Sequence, residues 1–360
     1  MPTPRVRDVR PSPFVRRFAA PVVALAALTL AGCSSGSGDT ASDTSAPAAA
    51  GGDATTSSTA PPTTAVPADP VAELASWSLP SALSRTACGA EGSTIRCASG
   101  LDANRTSSSA VLQIDPAAGS VQKVARIPNA IHDAAGAAFG GRVLLIGGGE
   151  SEVATAAVVD TSSANPSKVG QITQPRSDVA AVASGDTLVV VGGYDGKVIT
   201  PGVLTSSDGQ TFTEVGTLVT PVRYPAVAAL DGKVYAFGGK TRTPDGNDSQ
   251  TADIQRIDPA TGEVTLVGQF PEPTGHMVAA VLDGTIYVMG GRTGTGTSLT
   301  DSSAIWRFDP ATGSVTPAGT LPKPVTDSTV AVVDGSAWLI GGERDGTPID
   351  DVVVVRPAQR

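Results

Sequence analysis

Six polar residues at equivalent positions are the candidates for chemistry in this sequence. Each lies 14 residues before the first glycine of a Gly-Gly pair, or before Ser99, which takes that place once: Arg85, Asp133, Asp178, Tyr224, His276 and Asp327. Arg223 precedes Tyr224 and adds a second guanidinium group. Carboxylates, guanidinium groups, an imidazole and a phenol that converge on a concave rim would bind a polar ligand, and such groups can also transfer protons.

The same pattern has a simpler explanation. Strand ends at a hydrated channel are polar wherever water reaches them, with or without a ligand. The two explanations differ in the direction of the side chains, since a ligand site needs them to converge. Both stay open at the level of sequence.

Glycine pairs mark the repeat that would position these residues. Five pairs follow short apolar strands, and their first glycines, 45, 46, 52 and 51 residues apart, are Gly147, Gly192, Gly238, Gly290 and Gly341. An eroded sixth copy ends at Ser99-Gly100. A period near 50 residues is typical of a repeat architecture in which each unit buries its apolar face against its neighbours.

The sequence pattern within each repeat unit predicts four antiparallel strands. An alanine-rich strand comes first, and a tight turn leads into the second strand, as at Asp231-Gly232, Asp283-Gly284 and Asp334-Gly335. A third strand such as Ile305–Phe308 and a fourth strand follow, and residues 70–360 show no helical periodicity. Four-stranded units repeated around an axis make a β-propeller, and the alanines fit the narrow space near the axis.

The chain ends predict six blades. The last copy has strands around Val325–Val333, Ser336–Ile340 and Ile349–Arg356, and it lacks a fourth strand. Residues Val71–Leu79 resemble the fourth strands of other copies and have no blade of their own. We therefore expect the N-terminal strand to complete the last blade and close the ring, which removes an open edge.

These repeats resemble the kelch family over residues 70–360. The resemblance implies a six-bladed, all-β kelch propeller. The family includes galactose oxidase, a copper enzyme, and a sialic-acid mutarotase that needs only acid–base side chains. This sequence has only His132 and His276 as imidazole ligands, so we expect no metal ion and no cofactor.

The N-terminus carries an export signal. Five arginines precede the 13-residue apolar run Phe18–Leu30, which is short for a membrane span. The following Leu30-Ala31-Gly32-Cys33-Ser34 resembles the lipobox of bacterial lipoproteins. The resemblance implies that residues 1–33 are a signal peptide and that Cys33 is lipidated. An ordinary secretory signal is the alternative, and Arg16-Arg17 leaves the twin-arginine route open beside the general one.

Composition limits the partners. Residues 34–69 are almost entirely Ser, Gly, Thr, Ala, Asp and Pro, so we expect a disordered linker. Residues 1–33 hold five arginines and one aspartate, so the rest of the chain is four charges more negative than the net −9 of the whole. Nucleic acid is an unsuitable partner for so acidic a chain, and the lipid on Cys33 must supply the membrane attachment.

The remaining cysteines flank the predicted turn Gly92-Ser93. In a two-residue hairpin Cys88 and Cys97 would face each other, so we expect a disulfide in an oxidising compartment; two buried thiols are the alternative.

The sequence thus favours a monomeric propeller, anchored by lipid to the outer face of the bacterial cell membrane. Its channel-mouth face would bind a protein or a glycan. A cell-envelope sugar-modifying enzyme that uses the same rim, similar to a mutarotase or epimerase, is the alternative, and a purely structural role is a third.

Overall fold

The computed structural model describes residues 67–358, apart from residues 152 and 297. The chain divides into two units, Met1–Thr63 and Thr64–Arg360. The first unit lies wholly outside the described residues, as do the predicted signal peptide with Cys33 and most of the predicted linker. The described residues form strands and no helix, so the prediction of an all-β fold is confirmed. No helix that could span a membrane is found among them.

Six four-stranded antiparallel sheets occur in the described part of the chain, and we number them in chain order. Sheet 1 contains, from first to fourth strand, Ala87–Glu91, Thr94–Ala98, Ser108–Asp115 and Ser120–Ile131. Sheet 2 contains Ala135–Phe139, Arg142–Ile146, Ala157–Asp160 and Ser167–Gln171. Sheet 3 contains Ala180–Ser184, Thr187–Val191, Gly202–Ser206 and Thr213–Thr217. Sheet 1 shows that the eroded copy ending at Ser99-Gly100 folds like the others.

Sheets 4 and 5 repeat this order, and sheet 6 takes one strand from the start of the chain. Sheet 4 contains Ala226–Leu230, Lys233–Phe237, Asp253–Ile257 and Val264–Gln269. Sheet 5 contains Val278–Leu282, Thr285–Met289, Ala304–Asp309 and Ser314–Thr320. Sheet 6 contains Thr329–Val333, Ser336–Ile340, Val352–Arg356 and, as its fourth strand, Val71–Leu74. Val71 pairs with Arg356 and Leu74 with Val353. The predicted pairing of the N-terminal strand with the last repeat is therefore present.

Short ladders follow the glycine pairs or precede the first strands. They are Leu83–Ser84 with Leu101–Asp102, Gly149–Glu150 with Val153–Ala154, Lys240–Arg242 with Asp248–Gln250, Thr274–Gly275 with Arg292–Thr295 and Ser298–Asp301, and Glu343–Arg344 with Thr347–Pro348. Residues 245–247 lie in the turn of the hairpin Lys240–Arg242 with Asp248–Gln250, and Asp248 pairs with Arg242 in its ladder.

Apolar side chains are buried between neighbouring sheets. Six clusters fill the contacts of sheets 1 and 2, 2 and 3, 3 and 4, 4 and 5, 5 and 6, and 6 and 1. In the last of these, Trp77 stacks on Trp338 with ring centroids 5.9 Å apart. The core is therefore divided among sheet interfaces, so each repeat buries its apolar side chains only against its neighbours.

The glycine pairs are explained by contacts between sheets. The N–H of the second glycine donates to a carbonyl of the next repeat, two residues before its candidate site residue: Gly100 to Ile131, Gly148 to Arg176, Gly193 to Val222, Gly239 to Thr274, Gly291 to Val325 and Gly342 to Leu83, at 2.8–3.0 Å. A Cβ on the first glycine would collide with that same carbonyl oxygen, at 2.5 Å for Gly290 and Val325. The last donor, Gly342, bonds to the first repeat.

Cys88 and Cys97 are paired in the first hairpin of sheet 1. They are opposite each other in the ladder around the turn Gly92-Ser93, and their Cα atoms are 4.1 Å apart. The predicted disulfide is present.

Candidate functional site

The six repeated polar residues lie just before the first strands, in one backbone conformation. Their φ angles are between 52° and 59°, which is the left-handed region. Each of these residues lies two positions before the first strand of its repeat. In the last repeat this changes where the strand begins. The first strand of that repeat begins at Thr329 and not at Val325 as predicted, because the left-handed backbone at Asp327 interrupts the extended conformation.

Backbone hydrogen bonds join these six residues in a circuit. The N–H of each donates to the carbonyl of its equivalent in the preceding repeat: Asp133 to Arg85, Asp178 to Asp133, Tyr224 to Asp178, His276 to Tyr224, Asp327 to His276 and Arg85 to Asp327, at 2.8–3.3 Å. Because only main-chain groups take part, the circuit accepts arginine, aspartate, tyrosine or histidine equally well. We call these residues, with Arg223, the rim.

The side chain of Arg85 crosses the rim. Its Nη1 lies 3.3 Å from the phenol oxygen of Tyr224, in sheet 4's repeat, and 3.3 Å from Oδ2 of Asp133. The Tyr224 hydroxyl also donates to Asp133 Oδ2 at 3.2 Å. Arg85 Nε donates to Glu343 Oε1 at 3.0 Å. The mouth is thus covered by the protein's own side chains.

The other rim side chains are paired as well. Arg223 Nη1 donates to Asp178 Oδ2 at 3.1 Å, and Nδ1 of His276 lies 2.7 Å from Oδ1 of Asp327. The rings of Tyr224 and His276 stack with centroids 4.2 Å apart. All seven predicted residues are therefore brought together in one network.

Burial shows that contact with water is not the cause of the rim's polarity. The side chain of Asp327 is 1% exposed, that of Asp178 is 4% exposed, and even Arg85 is only 17% exposed. Contact with water does not account for polar residues so deeply buried. Their mutual pairing does, since a buried charge requires a partner.

The pKa values of two rim carboxyl groups shift in opposite directions. Burial raises the pKa of Asp133 well above its usual value, and the neighbouring charge of Asp178 adds to this, although Arg85 opposes it. Burial also opposes ionisation of Asp327, but His276, Arg85 and Arg292 together outweigh it and lower its pKa below the usual range. The arrangement therefore disfavours the charged form of Asp133 and stabilises the charged form of Asp327.

Burial and the neighbouring carboxylates also change the pKa values of Tyr224 and Arg85. Burial raises the pKa of the Tyr224 phenol, and the charge of Asp133 raises it further. For Arg85, burial works against the charged form, yet Asp327 and Asp133 outweigh it and raise the pKa. Arg85 is the cation around which the carboxylates assemble.

A cavity lies beneath the rim along the first strands. Its volume is about 390 Å³, and its walls come from the first strands of all six sheets. Ala87, Ala135, Ala181, Ala226 and Ala279 are among the lining residues, as the alanine-rich strands predict. The cavity therefore combines small side chains with one polar end.

Sequence reasoning missed Glu343 and the position that it represents. Glu343 directly follows a glycine pair, and its side chain is 2% exposed and bonded to Arg85 and Ser84. In every repeat this position pairs with the residue before the rim position: Leu101 with Ser84, Gly149 with His132, Tyr194 with Ser177, Lys240 with Arg223, Arg292 with Gly275 and Glu343 with Thr326. A comparison of the residues that directly follow the glycine pairs could have identified this position from the sequence.

Two other residues support Arg223. Asp248 Oδ2 accepts from Arg223 Nη2 at 2.7 Å, and the Arg223 guanidinium carbon lies 4.8 Å from the centre of the Tyr194 ring. Asp248 begins the second strand of the hairpin Lys240–Arg242 with Asp248–Gln250. Among the described residues, no group of three or more His, Cys, Asp or Glu side chains is arranged to hold a metal ion.

The fold and the site together define an all-β repeat protein with a polar ring at one end of a central cavity. Residues 203–360 match the family described as KLHDC2/KLHL20/DRC7 Kelch-repeats domain. The chain is 28% identical over 141 residues to Kelch-like protein terF of Aspergillus terreus, which covers 38% of this chain and 31% of the relative. It is 31% identical over 133 residues to mouse Kelch-like protein 35, covering 37% and 21% of the two chains.

A further relative carries an interaction in its name. Kelch-like ECH-associated protein 1B of Danio rerio is 25% identical over 131 residues, with 36% of this chain and 21% of the relative covered. This chain thus matches less than a third of the length of each of these relatives. The matches support a kelch family for the chain.

Proposed function

We propose that the chain is a lipid-anchored, extracytoplasmic kelch propeller that binds a protein or a glycan at the cell surface through its rim face. In this proposal the six sheets are the blades of a closed ring, and the N-terminal strand completes the last blade. Two circuits of hydrogen bonds support closure, because the bonds from Gly342 to Leu83 and from Arg85 to Asp327 join the last repeat to the first.

The observation that carries the binding role is the assembly of all seven predicted residues on one face. They come from six repeats, and hairpins after the glycine pairs surround them. Because their charges are largely satisfied by one another, the rim is a rigid, preformed surface. A rigid surface loses little conformational entropy on binding, which favours a recognition module.

Titration of the labelled protein lacking residues 1–33 tests the binding role. Soluble cell-wall glycan fragments should produce saturable NMR shifts near Asp178 and His276 if the ligand is a glycan. Absence of such shifts, together with a protein that co-purifies with the chain from the cell envelope, assigns the ligand to the protein class. If neither occurs, the binding role is wrong.

Lipid attachment has a separate test. In cells grown with labelled palmitate, the chain should carry label and fractionate with membranes. Cys33→Ala should abolish both, and Cys33→Ala protein that still carries label would contradict the lipoprotein assignment.

A sugar-modifying enzyme is a second candidate, favoured by one observation. His276 and Asp327 form a 2.7 Å imidazole–carboxyl pair at the polar end of a cavity. A positioned acid and base of this kind can move a proton on a sugar. Asp178→Asn and His276→Ala should each abolish interconversion of sugar anomers without unfolding the protein, and intact turnover in both variants would exclude this site.

A further inference from the structure

Apolar residues form the walls of the central cavity below the rim. The second residue of every first strand lines the cavity, and all six are small or apolar: Cys88, Gly136, Ala181, Val227, Ala279 and Val330. Ala138, Ala183 and Val332, the fourth residues of their strands, extend this lining away from the rim. The volume of about 390 Å³ is near the lower end of the range for ligand pockets, about 300–1,000 Å³. The walls therefore suit a compact ligand with an apolar body.

The two ends of the cavity differ in access. At the rim end, Arg85 Nη1 lies 3.3 Å from Oδ2 of Asp133 and from the Tyr224 hydroxyl, so these side chains cover that end. At the other end, the lining residues Ala138 and Val332 are exposed to solvent, Val332 by 38%. A ligand would therefore enter between the turns that join the first and second strands.

Those turns place negative charge around the opening. Four of them carry an exposed aspartate: Asp186, Asp231, Asp283 and Asp334. Of the basic residues beside these turns, Lys233 is paired with Asp258 at 2.6 Å. Arg96 is paired with Glu91 at 2.7 Å, which leaves Arg142. The opening is therefore acidic, and its field favours the entry of a cation over that of an anion.

Two rim carboxyl groups have a spare oxygen at the inner end of the cavity. Asp133 and Asp178 both line it, and within the described residues each accepts hydrogen bonds through Oδ2 alone. Asp327 differs, because both of its oxygens lie within hydrogen-bond distance of other side chains. The Oδ1 atoms of Asp133 and Asp178 can therefore accept hydrogen bonds from a ligand.

Asp133 and Asp178 also lie in adjacent repeats. The N–H of Asp178 donates to the carbonyl of Asp133 at 2.8 Å. Burial raises the pKa of Asp133, and the charge of Asp178 raises it further, although Arg85 at 3.3 Å opposes this. Burial lowers the pKa of His132, whose Nε2 is 3.6 Å from Asp133 Oδ2, so this imidazole is neutral near pH 7 and supplies no second cation. The inner end of the cavity can therefore accept one more positive charge.

We propose that this cavity binds a primary ammonium ion that carries a short aliphatic chain. The ammonium group would donate to Oδ1 of Asp133 and to Oδ1 of Asp178, and its charge would offset the repulsion between the two carboxylates. Its chain would lie along the apolar walls. This inference goes beyond the binding of a protein or a glycan at the rim face and does not depend on it.

Isothermal titration calorimetry of the full-length protein near pH 8 tests the site, with hexylammonium as the probe. Two controls separate its parts, since 1-hexanol has the same chain without the charge and methylammonium has the charge without the chain. We expect one hexylammonium ion to bind per chain, with a Kd at least about tenfold below the Kd of either control. No binding of hexylammonium, or a Kd equal to that of either control, would overturn the proposal.

A pair of phenylalanine variants locates the bound ion. Ala138→Phe places a ring where the aliphatic chain would lie and should raise the Kd for hexylammonium by about tenfold or more. Ala311→Phe is the matched control, because Ala311 is exposed in a turn and does not line the cavity. It should leave the Kd unchanged. A Kd that Ala138→Phe does not alter, or that both variants raise equally, would place hexylammonium outside the cavity and overturn the site.

A carboxyl variant tests the charge. Asp178→Asn should raise the Kd for hexylammonium by about tenfold and leave that for 1-hexanol unchanged, because only a charge-assisted hydrogen bond is lost. A thermal melt checks that this variant is folded. An equal change for both probes would overturn the assignment of the ammonium group to this end of the cavity. If Asp178→Asn does not fold, the two phenylalanine variants decide the matter.

Discussion

Replacement of the first glycine of a pair should break the contact between neighbouring sheets. In Gly290→Ala the new Cβ would lie 2.5 Å from the Val325 carbonyl oxygen, which accepts the N–H of Gly291 at 2.8 Å. The alanine would also have to adopt φ of 66°, which costs about 1–2 kcal/mol. Separation of the sheets would leave a buried carbonyl without its donor, at about 1–3 kcal/mol. The free energy of unfolding should therefore fall by about 2–5 kcal/mol.

Two further variants separate the cost of the backbone conformation from the cost of the collision. Gly284 also has a positive φ, of 74°, but a Cβ there would meet nothing within 4 Å. Gly284→Ala should therefore lose only the conformational part, about 1–2 kcal/mol. Ser99 occupies the equivalent of Gly290 in sheet 1 with φ of 69°, and its buried hydroxyl has no partner. Ser99→Gly should stabilise the protein, by about 1 kcal/mol after the added flexibility of glycine is subtracted.

Equilibrium urea unfolding followed by tryptophan fluorescence measures all three. Trp77 and Trp338 are stacked where sheet 6 meets the N-terminal segment, so their emission reports the joined ends of the chain. From most to least stable, the order should be Ser99→Gly, wild type, Gly284→Ala and Gly290→Ala. Equal losses in the two alanine variants would refute the argument that the contact between Gly290 and Val325 requires glycine.

Four other perturbations have directions set by the structure. Replacing both Cys88 and Cys97 by alanine should lower the free energy of unfolding by roughly 2–3 kcal/mol, as expected for a loop of this length, and reductant should then have no further effect in urea melts. Asp327→Asn should destabilise the fold by about 3 kcal/mol at neutral pH and flatten the acid limb of the stability curve, because a lowered pKa gives stability that is lost as pH falls. Asp133→Asn should remove a loss of stability that occurs as pH rises through the raised pKa, so its stability relative to wild type should improve from pH 4 to pH 7 in thermal melts. Arg176 is fully buried and donates to the carbonyls of Gly192 and Gly202, at a position where other repeats have Leu, Ile, Val or Thr. Arg176→Leu should therefore lower the melting temperature less than Arg176→Ala does, because leucine refills most of the space but replaces neither hydrogen bond.

The sequence predicts the repeat unit well because glycine, Asp-Gly turns and alanine have local physical causes. Asp231 and Gly232 both have positive φ, as a two-residue hairpin requires, and the strands on either side pair from Leu230 with Lys233 onward. The partner strand of the last sheet was found by counting strands. Strand starts were less accurate, since a left-handed residue such as Asp327 is not distinguishable from an extended one by its side chain.

The rim was predictable in position but not in chemistry, because the backbone circuit makes the six positions equivalent while the side chains differ in length. Arg85 reaches Tyr224 three repeats away, whereas Asp178 reaches only Arg223 in the next repeat. Partners are therefore chosen by reach across the mouth, and no repeat alignment contains that information. It follows that a rim residue should be tested together with its partner: a double-mutant cycle of Arg85 and Tyr224 should show coupling, and one of Arg85 and Arg223, which share no hydrogen bond, should show much less.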